Sequence, residues 1–338
     1  MKRAGVVVLA AMMAASAVGA QEQKEKATGW KPVPHRPVHT YSIVARDPAT
    51  GELGVAVQSH WFSVGAVVPW AEAGVGAVAT QSFVEPSYGP LGLELMRAGK
   101  SAPEALRALL AADEGRAVRQ VAIIDAQGRV AAHTGDKCIA AAGHQVGKNY
   151  SVQANLMEKD TVWPAMARAF EAAKGDLIDR LVAALEAAER EGGDIRGRQA
   201  AAILVVRGKS TGRPWADRVI DLRVEDHPQP VVELKRLVRV HRAYEHMNAG
   251  DLCAEKKDWT CAAREYGAAE KILPEQMEVV FWHAVTLVTG GRVEEALPLF
   301  KKVFAREPKW VELAGRLPAS ELLPKDEKIL ARIQAQKP

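Results

Sequence analysis

The spacing of apolar and polar positions changes character along this chain. Near residue 40 it predicts two strands joined by a tight turn. Tyr41, Ile43 and Val44 enrich the first limb, and Leu53, Val55, Ala56 and Val57 fill the second. Between them, Asp47-Pro-Ala-Thr-Gly51 supplies a preset φ at Pro48 and a permissive glycine. Pairing Asp47 with Glu52 sets Thr40 opposite Ser59, with Gln58 as the one-residue slip. Residues 64–69 and 75–81 are predicted as two further strands around an Ala71–Gly74 turn. Their nearly continuous apolar runs suit strands buried on both faces. Helices are expected over 91–98 and 102–112, the second with Ser101 as N-cap and Glu104 completing a capping box. A hairpin follows over 120–125 and 130–133. Residues 143–152 lead into a strand ending at Gln153-Ala154-Asn155. Amphipathic helices over 162–173 and 177–190 precede strands over 199–207 and 215–224. Strands, then helices, then strands indicate an α+β domain rather than alternating βαβ units.

From His227-Pro-Gln-Pro230 onward the pattern is helical only. Residues 231–244 read as a connecting helix with Leu234, Leu237, Val238 and His241 on one face. Ala262, Tyr266 and Pro274 then recur thirty-four positions later as Ala296, Phe300 and Pro308. That spacing resembles tetratricopeptide repeats, and Gly250 and Ala269 fit the first copy. The second copy departs, with Ala284 and Val303 in the small-residue positions. Two copies bury little, so the preceding helix and residues 322–334 are expected to cap them. An unrelated array of helical hairpins would share the architecture without a binding groove. The resulting division is 40–240 for the α+β domain and 241–338 for the helical repeats.

The first thirty-nine residues belong to neither. Met1-Lys2-Arg3, an apolar stretch to Ala17 and the small residues Val18-Gly19-Ala20 form a signal-peptide pattern over 1–20. The stretch is too short and Ala-rich for a good membrane span. No cysteine follows Ala20, which speaks against a lipoprotein. Residues 21–39, charged and then Pro-rich, read as a disordered spacer. The mature chain is therefore expected to be periplasmic or secreted.

Length, at 338 residues, suits two domains. A formal charge of +4 is too weak to indicate nucleic acid, and Trp61, Trp70, Trp163 and Trp215 read as core or loop anchors without a basic stripe. No phosphate loop or dinucleotide motif appears, and no cofactor is called for. His133, His144, His227, His241 and His246 lack the spacing of a zinc set. Of three cysteines, Cys253 and Cys261 flank one helical turn and pair in an oxidising compartment, or else fill packed positions as thiols. Cys138 is left over, without a His or Asn motif to make it a nucleophile.

Three ordered segments carry a wider resemblance: Thr40-Tyr-Ser-Ile-Val-Ala-Arg-Asp-Pro48, Gly54-Val-Ala-Val-x-Ser59, and Pro69-Trp-Ala-x-Ala-Gly-Val-Gly-Ala-Val-Ala-Thr-Gln-Ser82. Over roughly residues 40–240 the chain resembles the domain-of-unknown-function-1028 family, placed among the N-terminal nucleophile hydrolases. The resemblance implies a four-layer αββα sandwich and a Thr, Ser or Cys at a freed chain start acting as nucleophile and base. Thr40 is that nucleophile, with Ser59 and Gln58 as polar support. Asn155 would face the developing oxyanion, Gln81 and Ser82 end a strand near the substrate, and Asp194, Arg198 and Gln199 would orient the site electrostatically. His60 is read as surface or support. Ala200 departs from the serine usual after that glutamine. Asp194 also has an ordinary reading as a turn residue binding nearby amides.

One requirement governs this reading. A threonine inside a chain has an amide nitrogen, which is not a base, whereas a free α-amine titrates near neutrality. A cut between His39 and Thr40 is therefore needed. The expected activity is amide-bond hydrolysis on an unidentified peptide or acyl-amide, with a protein partner on the helical arm and association of copies also open. The alternative is a non-catalytic binding scaffold.

Overall fold

The computed structural model describes residues 40–338; the signal peptide and spacer expected over 1–39 lie outside the described residues. The fold is mixed α+β. Strands β1 (Thr40–Arg46), β2 (Leu53–Ser59), β7 (Gly143–Gly147), β8 (Tyr150–Ala154), β9 (Ala200–Val206) and β10 (Arg218–Val224) form one antiparallel sheet in the order β10-β9-β2-β1-β8-β7. A second antiparallel sheet runs β3 (Pro69–Glu72), β4 (Gly76–Ser82), β5 (Arg119–Asp125), β6 (Val130–Thr134). β1 is thus internal, with β2 on one side and β8 on the other.

Alternation along the strands assigns their faces. Val44, Leu53, Val55, Val57, Ala77, Ala79, Ala122, Ala202 and Leu204 pack in one apolar cluster between the sheets. Tyr41, Ile43, Val152 and Ile203 point the other way, onto α3 (Val162–Ala172) and α4 (Leu177–Arg190). The second sheet turns Val78, Val121 and Ile123 onto α1 (Tyr88–Arg97) and α2 (Ala102–Ala112). Each sheet therefore has helices on its outer face and the other sheet on its inner face. The capping box at Ser101 and Glu104 is formed as expected.

Three expectations fail locally. Residues 64–66 make a 3₁₀ turn, and the strand begins only at Pro69. Gly65 packs so closely that a Cβ there would lie 2.8 Å from the Ala202 Cβ, so the apolarity of this run reflects contact with β9 rather than extended pairing. The run over 143–152, expected to lead into a strand ending at Asn155, is itself folded into a hairpin, β7 and β8, reversing at Lys148-Asn149, where Asn149 takes φ 64°. Trp215 is 79% exposed and precedes β10 instead of anchoring it.

The C-terminal part consists of α5 (Pro230–Glu255), α6 (Trp259–Ile272), α7 (Met277–Thr289), α8 (Val293–Arg306), α9 (Trp310–Arg316) and α10 (Glu327–Gln334). The first half of α5 contributes Leu234 and Val238 to the core beneath the large sheet, and the same helix continues unbroken past residue 240. Ala262 and Tyr266 on α6, and Ala296 and Phe300 on α8, are all buried at matching positions. A Cβ at Gly250 would fall 2.6 Å from the Tyr266 ring, which is why that helix crossing needs glycine. A disulfide joins Cys253 to Cys261 across the α5–α6 turn.

Candidate active site

The hairpin turn works through Asp47, whose Oδ1 accepts from the amides of Ala49 (2.7 Å) and Thr50 (3.0 Å) while Gly51 takes φ 77°. Its register puts Thr40 opposite Ser59, and Ser59 in turn opposite Ala200 on β9. Thr40 and Ser59 are both fully buried.

At this end of the inter-sheet space the apolar packing gives way to uncharged polar side chains. Thr40, Ser42, Ser59, Gln81, Gln120, Gln153 and Asn155 occupy inward positions of their strands or strand ends and are buried completely. The Thr40 carbonyl accepts from the Asn155 backbone amide (3.1 Å), from Gln81 Nε2 (3.2 Å) and from Asn155 Nδ2 (3.4 Å). Gln120 Oε1 accepts from the same two side chains, Gln81 at 2.7 Å and Asn155 at 2.8 Å. Gln120 Nε2 donates to the Ala154 carbonyl (2.9 Å), to Thr134 Oγ1 (2.9 Å) and to the Gly143 carbonyl (3.2 Å). Ser42 donates to Gln81 Oε1 and accepts from Gln153 Nε2, both at 2.6 Å. Buried amides of this kind are costly unless bonded, and here they satisfy one another across the two sheets.

None of the side chains named in this network is a carboxylate or an ammonium. Its titratable member is His144 at the rim, whose Nδ1 lies 2.8 Å from Thr134 Oγ1; partial burial, with His133 adding to it, pushes the ring below its ordinary value.

The structure thus brings Thr40, Ser59, Gln81 and Asn155 together and separates the others. Gln58 falls on the opposite face of β2 from Thr40, beside Tyr41, so it does not support the threonine hydroxyl. Ser82 likewise follows Val78 and Thr80 onto the helix-covered face of β4, away from Gln81. Asp194 is buried and accepts from the His60 amide (3.1 Å) and the Arg196 amide (3.0 Å), while pairing with the Arg196 guanidinium at 2.6 Å. It bridges to Met157 as well, and so fastens the 193–197 loop beside the end of β2. Arg198 pairs with Glu189, which also accepts the Tyr41 hydroxyl, on the outer side of the sheet. The Gln199 carbonyl accepts the His227 amide at 2.8 Å. Burial pushes the Cys138 thiol up, and it donates to the Arg119 carbonyl, which makes it a poor nucleophile.

Gln120, Thr134, Ser42 and Gln153 were not singled out in the sequence. The available signal was polar residues at inward positions of strands whose neighbours are Val, Ala and Ile. Among the described residues no group of three or more His, Cys, Asp or Glu is placed to hold a metal ion, and no helix is long and apolar enough to cross a membrane.

This is a two-sheet α+β domain with a buried amide and hydroxyl cluster at the head of its first strand, carrying a helical C-terminal part. Residues 40–234 match the model of DUF1028, a family of unknown function, and the chain belongs to that family. It is similar to the crystal structure of protein SPO2555 from Silicibacter pomeroyi, itself assigned to DUF1028. The identity is 32% and the TM-score 0.54, over 60% of this chain and 85% of that one. No curated protein matches.

Proposed function

We propose that this chain is an exported amide hydrolase of the N-terminal nucleophile type, with Thr40 as nucleophile, an αββα sandwich of that class, and a tetratricopeptide-like arm that recruits a protein partner. One observation carries the reading. Thr40 begins an internal strand, faces the inter-sheet space, and has its carbonyl held by Gln81 and Asn155. On this reading, as the family resemblance implies, the catalytic base is the threonine's own nitrogen. After a cut between His39 and Thr40 the α-amine, with pKa near 8, takes the Oγ1 proton. Oγ1 bonds to the substrate carbonyl carbon, the C–N bond breaks, and the amine leaves with that proton. Water then hydrolyses the Thr40 ester and regenerates the hydroxyl.

The signal-peptide pattern over residues 1–20 supports a periplasmic or secreted setting for this chemistry. Mass and N-terminal sequence of the mature protein from its own cell test the processing: a start at Thr40 supports hydrolysis, and a stable start at Gln21 defeats it. Against a panel of peptide and acyl-amide substrates, Thr40→Ala should lose at least ~10³-fold in kcat/KM. Its Tm should move by no more than about 4 °C. Equal turnover by the variant rejects the assignment.

A second reading has its own support. The candidate oxyanion donor, Asn155 Nδ2, is occupied by Thr40 and Gln120, and Gln81 Nε2 by the same two residues, as in a polar core that merely fixes the sheets together. On that reading the sandwich is a scaffold and the arm does the work.

A further inference from the structure

A cavity of about 680 Å³ opens among α5, α6 and α7, with residues 321 and 322 at its rim. Its size lies in the range that accepts several side chains or a drug-sized ligand. Two features of its lining stand apart from the rest of the surface. Four aromatic rings face it, Tyr244, Trp259, Tyr266 and Trp282. Four carboxylates do too, Asp251, Glu255, Glu278 and Glu321, yet not one of the chain's 45 lysines and arginines is among the lining residues.

Elsewhere the chain pairs its acids freely: Glu265 with Arg264, Glu295 with Arg292, Glu294 with Arg332. Asp251, Glu255 and Glu278 have no ion-pair partner among the described residues. Glu278 accepts the Tyr244 hydroxyl at 2.6 Å, and Asp251 accepts the Tyr266 hydroxyl. A neutral phenol orients a carboxylate without cancelling its charge. The hydrogen bond to Glu278, with some burial, pushes Tyr244 up to about 12, so the phenol stays a donor at neutral pH. Cations bind over aromatic faces, and more strongly where water is partly excluded. The Cys253–Cys261 disulfide lies beside the lining residues Ala254, Glu255 and Trp259 and holds that wall in place. Leu322, 46% exposed at the rim, offers an apolar contact beside the carboxylates.

We infer that this cavity binds a basic peptide segment of a partner protein, seating a lysine or arginine side chain among the rings with Asp251 and Glu278 as counter-charges. The inference deepens the partner-recruiting half of the reading above and is independent of hydrolysis.

The test uses the full chain carrying Thr40→Ala, so that no turnover consumes the probe. Fluorescein-labelled Gly-Lys-Gly-Lys-Gly-Lys and its glutamate counterpart are titrated by anisotropy, with N-acetyl-lysine amide as competitor. The lysine peptide should bind at least tenfold more tightly than the glutamate one, and Asp251→Asn with Glu278→Gln should weaken it at least tenfold. Should that pair fail to fold by circular dichroism, Glu278→Gln alone should weaken binding at least threefold. Glu307→Gln, exposed beyond the end of α8, should leave it unchanged. Equal affinity for the two peptides, or undiminished binding in the folded variants, overturns the inference. Competition by the lysine amide at the peptide's own affinity also overturns it, in favour of a small-cation site. A chain that hydrolyses but does not bind the lysine peptide refutes this inference alone, and one that binds but never hydrolyses refutes only the enzyme.

Discussion

The head of β1 and the helical cavity handle polar groups in opposite ways. Around Thr40 the buried side chains are amides and hydroxyls, uncharged and bonded to one another across two sheets. Around Tyr266 carboxylates stand beside aromatic rings, and Asp251, Glu255 and Glu278 have no ion-pair partner among the described residues. A network that closes on itself fixes atoms in place, and here it fixes the Thr40 carbonyl. A lining that keeps one sign of charge stores an attraction for something outside the fold. The first arrangement suits positioning and the second suits recognition.

Breaking the closed network should cost most. Gln120 joins Gln81, Asn155, Thr134 and two backbone carbonyls, so Gln120→Leu strands several buried partners at once. With each unsatisfied group costing about 1–3 kcal/mol, the expected loss in urea unfolding is about 3–5 kcal/mol. A loss below 1 kcal/mol would mean the amides readily find other partners, and the contrast with the cavity would fade. Cys253→Ser comes next. Opening a loop with a sequence separation of 8 should cost about 2–3 kcal/mol. Because the crosslink lies in the arm, hydrogen exchange should quicken in α5 and α6 while β1 and β8 stay protected. Uniform loosening would show that the two regions unfold as one.

The smallest effect concerns pH. His144 has a folded pKa below its unfolded value, so its contribution is present above the unfolded pKa and fades as pH falls through about 6.5 toward the folded value. Stability should fall slightly across that window, the effect being reduced by solvent screening at this exposed ring, and His144→Asn should remove the fall. A larger acid step surviving in the variant would place another titrating group inside the network.

Local signals made much of the fold legible. Asp47-Pro-Ala-Thr-Gly51 fixes a turn with its own side chain, and with it the Thr40–Ser59 register. Ser101 and Glu104 announce a helix start for the same reason. Where a run's apolarity came from what lies above it, as at Val64 and Gly65, periodicity could not tell a packed turn from a strand. Strand alternation already decided against Gln58, since Thr40 and Ser59 share a face that their neighbours do not. The network itself was out of reach, because Gln120 meets Asn155 from the other sheet and nothing near either residue encodes that meeting.

The grip on the Thr40 carbonyl bears on what a proteolytic nick would leave behind. Every bond described at that residue's carbonyl comes from Gln81 or Asn155, both downstream in the chain, and β1 is flanked by partners along its length. Severing the peptide link just before Thr40 removes none of these ties. The fresh terminus would be born already seated.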